Sequence, residues 1–554
     1  MCKKKFFAVF MVLAMALTMA LAGTASATDI WNGDRESEPE LNGTVYEVWT
    51  GEELAWVADQ VNVEENDFAG YTIRLRDDID LDNRPWTPIG RFFAYGDVRD
   101  IAFRGTFDGA GHSITGLSVV NDGENYSARG ETAALFGYID YADSASSRSA
   151  AVSVSETPAV RAIADAASLG ILEGSANYER VVAERTALYI KFGVSPSAGA
   201  TRSVTPSYAI GGKVKNVKVY GSVSNTAGQG AAGVVCWNDG VIENCYFEGT
   251  VVCSPNSRAY AGGICSLLGD NVLSHNTYVV NCAASVNVQA IGSAYSYGGG
   301  IAGYCYAMNR GYIVNCAVEP ASILLSHMDT GGIVGGFAYK VYNCTSAASS
   351  VTVNGQNPNE AGYFTGGIVG AFGTAYNCYW LQSSGSTTQP GYSVGGGSDA
   401  GGKRTTTAAL PSASFLLPAI RDITPSETVT VSGTTHPVGA SSSGLTYTWS
   451  SSNTSVATVS GSGASATVTG VGVGAATITA TATNSSWTSV SDVAVTAETV
   501  VNVVSASRAA AMRASASGAN GSESGSKSGG CNAGFAALAL LALVPCAMVG
   551  RKRK

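Results

Sequence analysis

The sequence predicts an all-β chain: a right-handed parallel β-solenoid (β-helix) followed by an Ig-like β-sandwich, with a small helical insertion. Three observations predict it. A Gly-Gly-Ile/Val element and a hydrophobic-Asn-Cys element recur through the middle of the chain. Period-two alternation of Thr with Val, Ile and Ala dominates beyond Leu417. Finally, 67 Gly stand against only 15 Pro in 554 residues, a balance that suits β-strands joined by tight turns and neither a collagen nor a Pro-rich tail.

The N-terminus has the pattern of a secretory signal. Lys3, Lys4 and Lys5 precede an apolar run from Phe6 to Leu21, and Ala25-Ser26-Ala27 supplies a small-residue cleavage site before Thr28. At the other end, Gly529-Gly530-Cys531-Asn532-Ala533-Gly534 leads into an apolar stretch from Phe535 to Val549 and the basic tetrad Arg551-Lys552-Arg553-Lys554. As a helix that stretch covers about 22 Å, short of the roughly 30 Å hydrocarbon core, so only with its small flanking residues is it a marginal span. The tripartite ending resembles the Synerg-CTERM sorting domains of bacterial surface proteins. The resemblance implies processing near Cys531 by a sorting protease and retention at the envelope; an ordinary tail anchor would give much the same location. Removing Lys3 to Lys5 and the tetrad takes the formal charge from −9 to −16, and an acidic body without a basic patch argues against nucleic acid or anionic lipid as a ligand.

Between Ala209 and Gly397 the first repeat element appears as Ala232-Gly233-Val234, Gly262-Gly263-Ile264, Gly299-Gly300-Ile301, Gly331-Gly332-Ile333 and Gly366-Gly367-Ile368, each read as a strand start. The second appears as Asn244-Cys245, Asn281-Cys282, Asn315-Cys316, Asn343-Cys344 and Asn377-Cys378, with Asn216-Val217 as a divergent first copy. Successive Asn lie 28, 37, 34, 28 and 34 residues apart, which points to loops of different length on one structural unit. Such a unit is too small to bury its own apolar face, so neighbours stack in parallel and share a core. Gly pairs allow tight corners, and stacked Asn can pass amide hydrogen bonds from coil to coil. Nine Cys lie between Cys236 and Cys378, an odd number. With coils about 4.8 Å apart, stacked Cys favour buried thiols over disulfides.

These units resemble GLUG repeats, known in bacterial surface proteins and in the non-catalytic part of zinc-dependent IgA1 proteases. The order Leu54-Ala55-Trp56-Val57-Ala58, Ile79-Asp80-Leu81, Trp86-Thr87-Pro88-Ile89-Gly90, Gly105-Thr106-Phe107-Asp108-Gly109 and His112-Ser113-Ile114-Thr115-Gly116-Leu117 agrees with what precedes such repeats. The stretch from Ala142 to Tyr208 departs from the pattern. Its Ala-rich middle has apolar residues at roughly helical spacing, so it reads as a partly helical insertion, either a tolerated surface loop or a binding element.

Beyond a Ser/Gly/Thr-rich linker, Val429-Thr430-Val431, Leu445-Thr446-Tyr447-Thr448-Trp449, Thr467-Val468-Thr469 and Ala476-Thr477-Ile478-Thr479-Ala480-Thr481 alternate at period two. Trp449-Ser450-Ser451-Ser452-Asn453, Val456-Ala457-Thr458-Val459 and Gly470-Val471-Gly472-Val473-Gly474 resemble bacterial Ig-like group 2 domains. The resulting organisation is a signal peptide (1–27), N-terminal solenoid (28–141), insertion (142–208), repeat solenoid (209–381), linker (382–417), Ig-like domain (418–500), disordered spacer (501–530) and sorting or anchor segment (531–554).

Catalysis needs converging titratable groups, and the sequence assigns no catalytic, cofactor-binding or metal-ligating residue. There are four His, no H-E-x-x-H and no G-x-S-x-G; His112 reads as a turn residue. Gly397 to Arg404 imitates a phosphate loop but lacks the Ser/Thr after Lys403. Asp78, Asp80 and Asp82 would share one strand face and could hold Ca2+, or could be a solvated edge. Tyr295, Tyr297, Tyr304 and Tyr306 cluster in one unit, as ligand-facing rings or as core. The expected function is an exported surface protein acting as a structural or adhesive scaffold for a glycan or extracellular-matrix ligand. Its other expected partners are the export machinery, a sorting protease and, through the C-terminus, the membrane. The alternative is a polysaccharide-active β-helix enzyme.

Overall fold

A computed structural model of the chain describes residues 30–93, 97, 99–124, 130–141, 211–269, 276–306, 310–338, 340–354, 364–383, 386–395, 402–405, 414–418, 420, 422–436, 445–484 and 496–507. The stretches read from the sequence as a signal peptide (1–27), an insertion (142–208) and a sorting segment (531–554), with nearly all of the expected spacer, lie outside the described residues.

The repeats form a parallel β-solenoid with four sheets running along it. Each coil places one strand in the first sheet, turns at the repeat Asn, enters the second sheet, and then passes through the third and fourth. The first sheet stacks Val45–Val48, Thr72–Leu75, Thr106–Asp108, Lys213–Lys215, Val241–Glu243, Thr277–Val280, Gly311–Val314, Val341–Tyr342 and Ala375–Tyr376 in parallel, with Glu40–Asn42 added antiparallel at one end. Strand Thr106–Asp108 pairs directly with Lys213–Lys215, so the chain resumes the stack in register after the insertion. The central residues of these strands, Ile73, Phe107, Val214, Ile242, Val279, Ile313, Val341 and Ala375, form one inward column, fully buried. Each such large apolar side chain contributes about 1.5–3 kcal/mol on burial.

The repeat Asn make the corner between the first and second sheets. Asn216, Asn244, Asn281, Asn315, Asn343 and Asn377 all have φ between 52° and 57°, the left-handed region that Asn tolerates better than other side chains. The Cys that follows points into the core. Cys245, Cys282, Cys316, Cys344 and Cys378 each direct Sγ at the carbonyl two residues back, at 3.2–3.4 Å. All nine described Cys are buried free thiols.

The Gly-Gly-Ile elements do not begin strands as expected; they form the corner that closes the third-sheet strand and opens the fourth. Ser296–Gly299 and Ala302–Cys305 flank Gly300-Ile301, for example. Ile264, Ile301 and Ile333 fill this corner, each donating its N–H to the Ile carbonyl of the next coil at 2.9–3.0 Å. A Cβ on Gly300 would lie 2.6 Å from the Gly332 carbonyl oxygen, so coil stacking at this corner requires Gly.

A helix, Gly51–Asn62, was not foreseen in this all-β reading. Thr50 and Glu53 form a reciprocal capping box, and Leu54, Val57, Ala58 and Val61 join the solenoid core beside the first coils. Within the stretch read as linker, Gly402–Thr405 pairs in parallel with Cys378–Leu381 and extends the second sheet by another strand.

The Ig-like module is a sandwich of two antiparallel three-stranded sheets. One holds Thr428–Ser432, Ser465–Gly470 and Ala457–Ser460; the other holds Leu445–Ser451, Gly474–Asn484 and Thr496–Val503. Val431, Ala457, Val468, Ile478, Ala480, Val501 and Val503 fill a core separate from that of the solenoid. Trp449 packs half-buried against it and donates Nε1–H to the Gly463 carbonyl at 2.9 Å.

Candidate interaction surfaces

The outer face of the first sheet carries a ladder of alternating charge. Glu47, Arg74, Asp108, Lys215 and Glu243 occupy the same register position in successive strands. Arg74 Nε lies 3.7 Å and Lys215 Nζ 3.8 Å from Asp108 Oδ2. Burial opposes the Asp108 charge, yet Lys215, Arg74, the Asn216 amide and the Ala110 N–H hold its carboxyl below the ordinary value. Burial likewise opposes the Lys215 charge, and Asp108 and Glu498 outweigh it, so its pKa is raised. Burial raises Glu47 despite Arg76 and Arg74.

The Ig-like module sits on this ladder. Lys215 Nζ reaches Glu498 Oε2 at 2.9 Å, and Arg76 Nη2 reaches Asp422 Oδ1 at 2.7 Å while its Nε lies 3.5 Å from Glu47. Thr496 Oγ1 donates to Glu243 at 3.2 Å, and Asn281 Nδ2 donates to the Thr496 carbonyl at 2.8 Å. Asn502 Nδ2 supports Asp422 at 3.2 Å. Sequence reasoning missed this surface. The available signal was the period-two placement of Arg74 with Arg76 and Lys213 with Lys215, which marks outward-facing charge on the two strands that flank Thr106–Asp108.

Past Glu243 the same face becomes aromatic and aliphatic. Tyr278 stacks on Tyr312 with centroids 5.1 Å apart and Tyr342 on Tyr376 at 4.8 Å, and Lys340 Nζ sits 4.2 Å from the Tyr312 ring centre. Stacked rings pair their faces with one another and present edges outward. The four Tyr singled out in the sequence do come together, between the third and fourth sheets. Tyr297 is 5 % exposed, 4.7 Å from Tyr304 and 5.8 Å from Tyr260, and Tyr306 lies 5.7 Å from Tyr304. Tyr295, Tyr304 and Tyr306 are half-buried at the edge of that column, with Arg258 over Tyr295.

The acidic run is split by its own partners. Asp78 Oδ1 accepts from Ser113 N at 2.8 Å and Ser113 Oγ at 2.9 Å, with His112 Nδ1 at 3.4 Å, while Asp80 accepts from Asp82 N at 2.9 Å. The His112 and Ser113 hydrogen bonds hold the Asp78 carboxyl well below the usual carboxylate range. His112 itself lies in a turn, its N–H donating to the Gly109 carbonyl at 2.8 Å. Among the described residues, no three His, Cys, Asp or Glu side chains converge to hold a metal ion, and no helix is long and apolar enough to cross a membrane.

Residues 418–507 match the bacterial Ig-like domain, group 2. Domains of this kind occur in bacterial surface proteins. The match confirms the second module and extends a few residues past its expected end. Among solved structures, a "putative immunoglobulin A1 protease" from Bacteroides ovatus is similar at 17 % identity, covering 68 % of this chain and 81 % of that one, with a TM-score of 0.35. So loose a likeness bears on neither fold nor chemistry. No curated protein matches the chain.

Proposed function

We propose that the protein is exported and works at the bacterial cell surface as a non-catalytic structural or adhesive scaffold, with a glycan or extracellular-matrix component as ligand. The observation that carries this reading is the pairing of a long parallel solenoid with a bacterial Ig-like domain. Long solenoids offer extended side faces for contact along their whole length. The chemistry on the outer faces is that of contact: charged ladders, aromatic columns and loops of unequal length. The polar groups along them are engaged with one another, as Asp78 is with Ser113 and Asp108 with Asn216.

GLUG-type repeats, the signal peptide and the C-terminal sorting segment complete the proposal: export frees the body from Thr28 onward, and Cys531 to Lys554 retains it. The test is a binding screen of the 28–528 body against immobilised glycans and matrix proteins, with a parallel screen for polysaccharide cleavage. Saturable binding without product release is expected; release of oligosaccharides would overturn the scaffold reading in favour of an enzyme.

A further inference from the structure

The contact between module and solenoid is polar throughout its named interactions, and the apolar cores on its two sides remain separate. Contacts of this composition behave like transient interfaces and permit domain motion. The Asn ladder supplies a second observation. Asn216 donates to Asp108 at 2.9 Å, Asn244 to Asn216 at 2.7 Å, Asn315 to Asn281 at 2.6 Å and Asn377 to Asn343 at 2.9 Å. At the module the ladder breaks. Asn281 gives its amide to Thr496 instead of Asn244, whose Oδ1 is left buried without a hydrogen-bond partner; the Asn315 Oδ1 is a second such acceptor, two coils on and outside the named module contacts. An unsatisfied buried acceptor costs about 1–3 kcal/mol. Docking therefore carries a built-in cost at Asn244, and a ready alternative partner stands one coil away from the donor.

We propose that the Ig-like module is held on the solenoid by a salt-labile clasp and leaves it as a folded unit, Asn281 then turning its amide from Thr496 to Asn244. The clasp pairs are Lys215–Glu498 and Arg76–Asp422, assisted by Thr496–Glu243. Each joins partners hundreds of residues apart, so no local chain geometry keeps the charges together once they are screened. Docked, solenoid and module act as one body; released, the module is a separately moving arm and the charge ladder is bare.

Zero-length carbodiimide coupling of the full chain tests this. It joins Lys215 Nζ to the Glu498 carboxyl with loss of water, and joins Lys213 to Glu243, a contact within the first sheet, in the same way. Raising NaCl from about 0.05 to about 1 M shortens the screening length from roughly 14 to roughly 3 Å. The 215–498 cross-link, read by mass spectrometry, is expected to fall several-fold while the 213–243 cross-link and the β-sheet circular dichroism hold. A 215–498 yield that holds with salt, or one that falls together with the internal control, would overturn the clasp. Asn244→Gly keeps the left-handed corner and removes the waiting acceptor. It should raise the salt needed for release, and an unchanged or lower requirement would overturn the amide exchange.

Discussion

At the scale of the residue, the repeat Asn has two duties that pull the same way. Its backbone sits where most side chains are strained, and its amide bridges coils. Asn315→Ala loses both, so it should cost about 2–3 kcal/mol, whereas Asn315→Gly keeps the backbone and should cost about 1 kcal/mol. Denaturant unfolding of the two variants reads the difference; equal losses would mean that the corner conformation is not what selects Asn. The amide ladder was legible in the bare repeat, but the corner was not, because spacing reveals that positions are equivalent and says nothing of φ. Asp78 gives a pH-dependent case. Its folded-state pKa is lowered by His112 and Ser113, so its contribution is present above the unfolded value of about 3.9 and is lost as pH falls below it. The carboxylate is half-exposed, so Asp78→Asn should cost no more than about 1 kcal/mol at pH 7. That gap should narrow progressively in thermal melts taken below pH 4, as pH falls toward the lowered folded-state value; a gap that widens there would reverse the assignment.

At the scale of the element, the corners are set by what cannot fit. Gly300→Ala would press a methyl against the Gly332 carbonyl and the Val318 side chain, and a loss of about 2 kcal/mol or more in unfolding free energy is expected. A neutral result would show that neighbouring coils can separate at this corner. Gly-Gly-Ile looked like a strand start because Ile is β-prone; the structure spends it on a turn, where its side chain plugs the core. The helix Gly51–Asn62 is readable from Thr50 and Glu53 at capping-box spacing, but the likeness of the motif around Trp56 to segments that precede such repeats draws it into the solenoid pattern. The charge ladder was half legible. Period two puts Arg74 and Lys215 outward, but their meeting through Asp108 depends on Thr106–Asp108 pairing with Lys213–Lys215 across the insertion, a register no local pattern encodes.

At the scale of the whole molecule, solenoid and sandwich were both foreseen because each repeats a simple period many times. Their contact was not. A Ser/Gly-rich linker suggested an independent module, and the pairs that dock it, such as Arg76 with Asp422, join positions 346 residues apart. Nothing in composition brings such partners together; only the folded surfaces do. The proposed function places this body outside the cell. Two apolar segments bracket it, with positive charges before the first and after the second, and by the positive-inside tendency both charged ends belong on the cytoplasmic side. Protease treatment of intact cells, read by antibodies against the solenoid and the Ig-like module, tests this most directly. The 28–528 body should be degraded while cytoplasmic markers survive, and deleting Cys531 to Lys554 should move the body into the medium. A full-length chain that stays protected until the cells are lysed would contradict it.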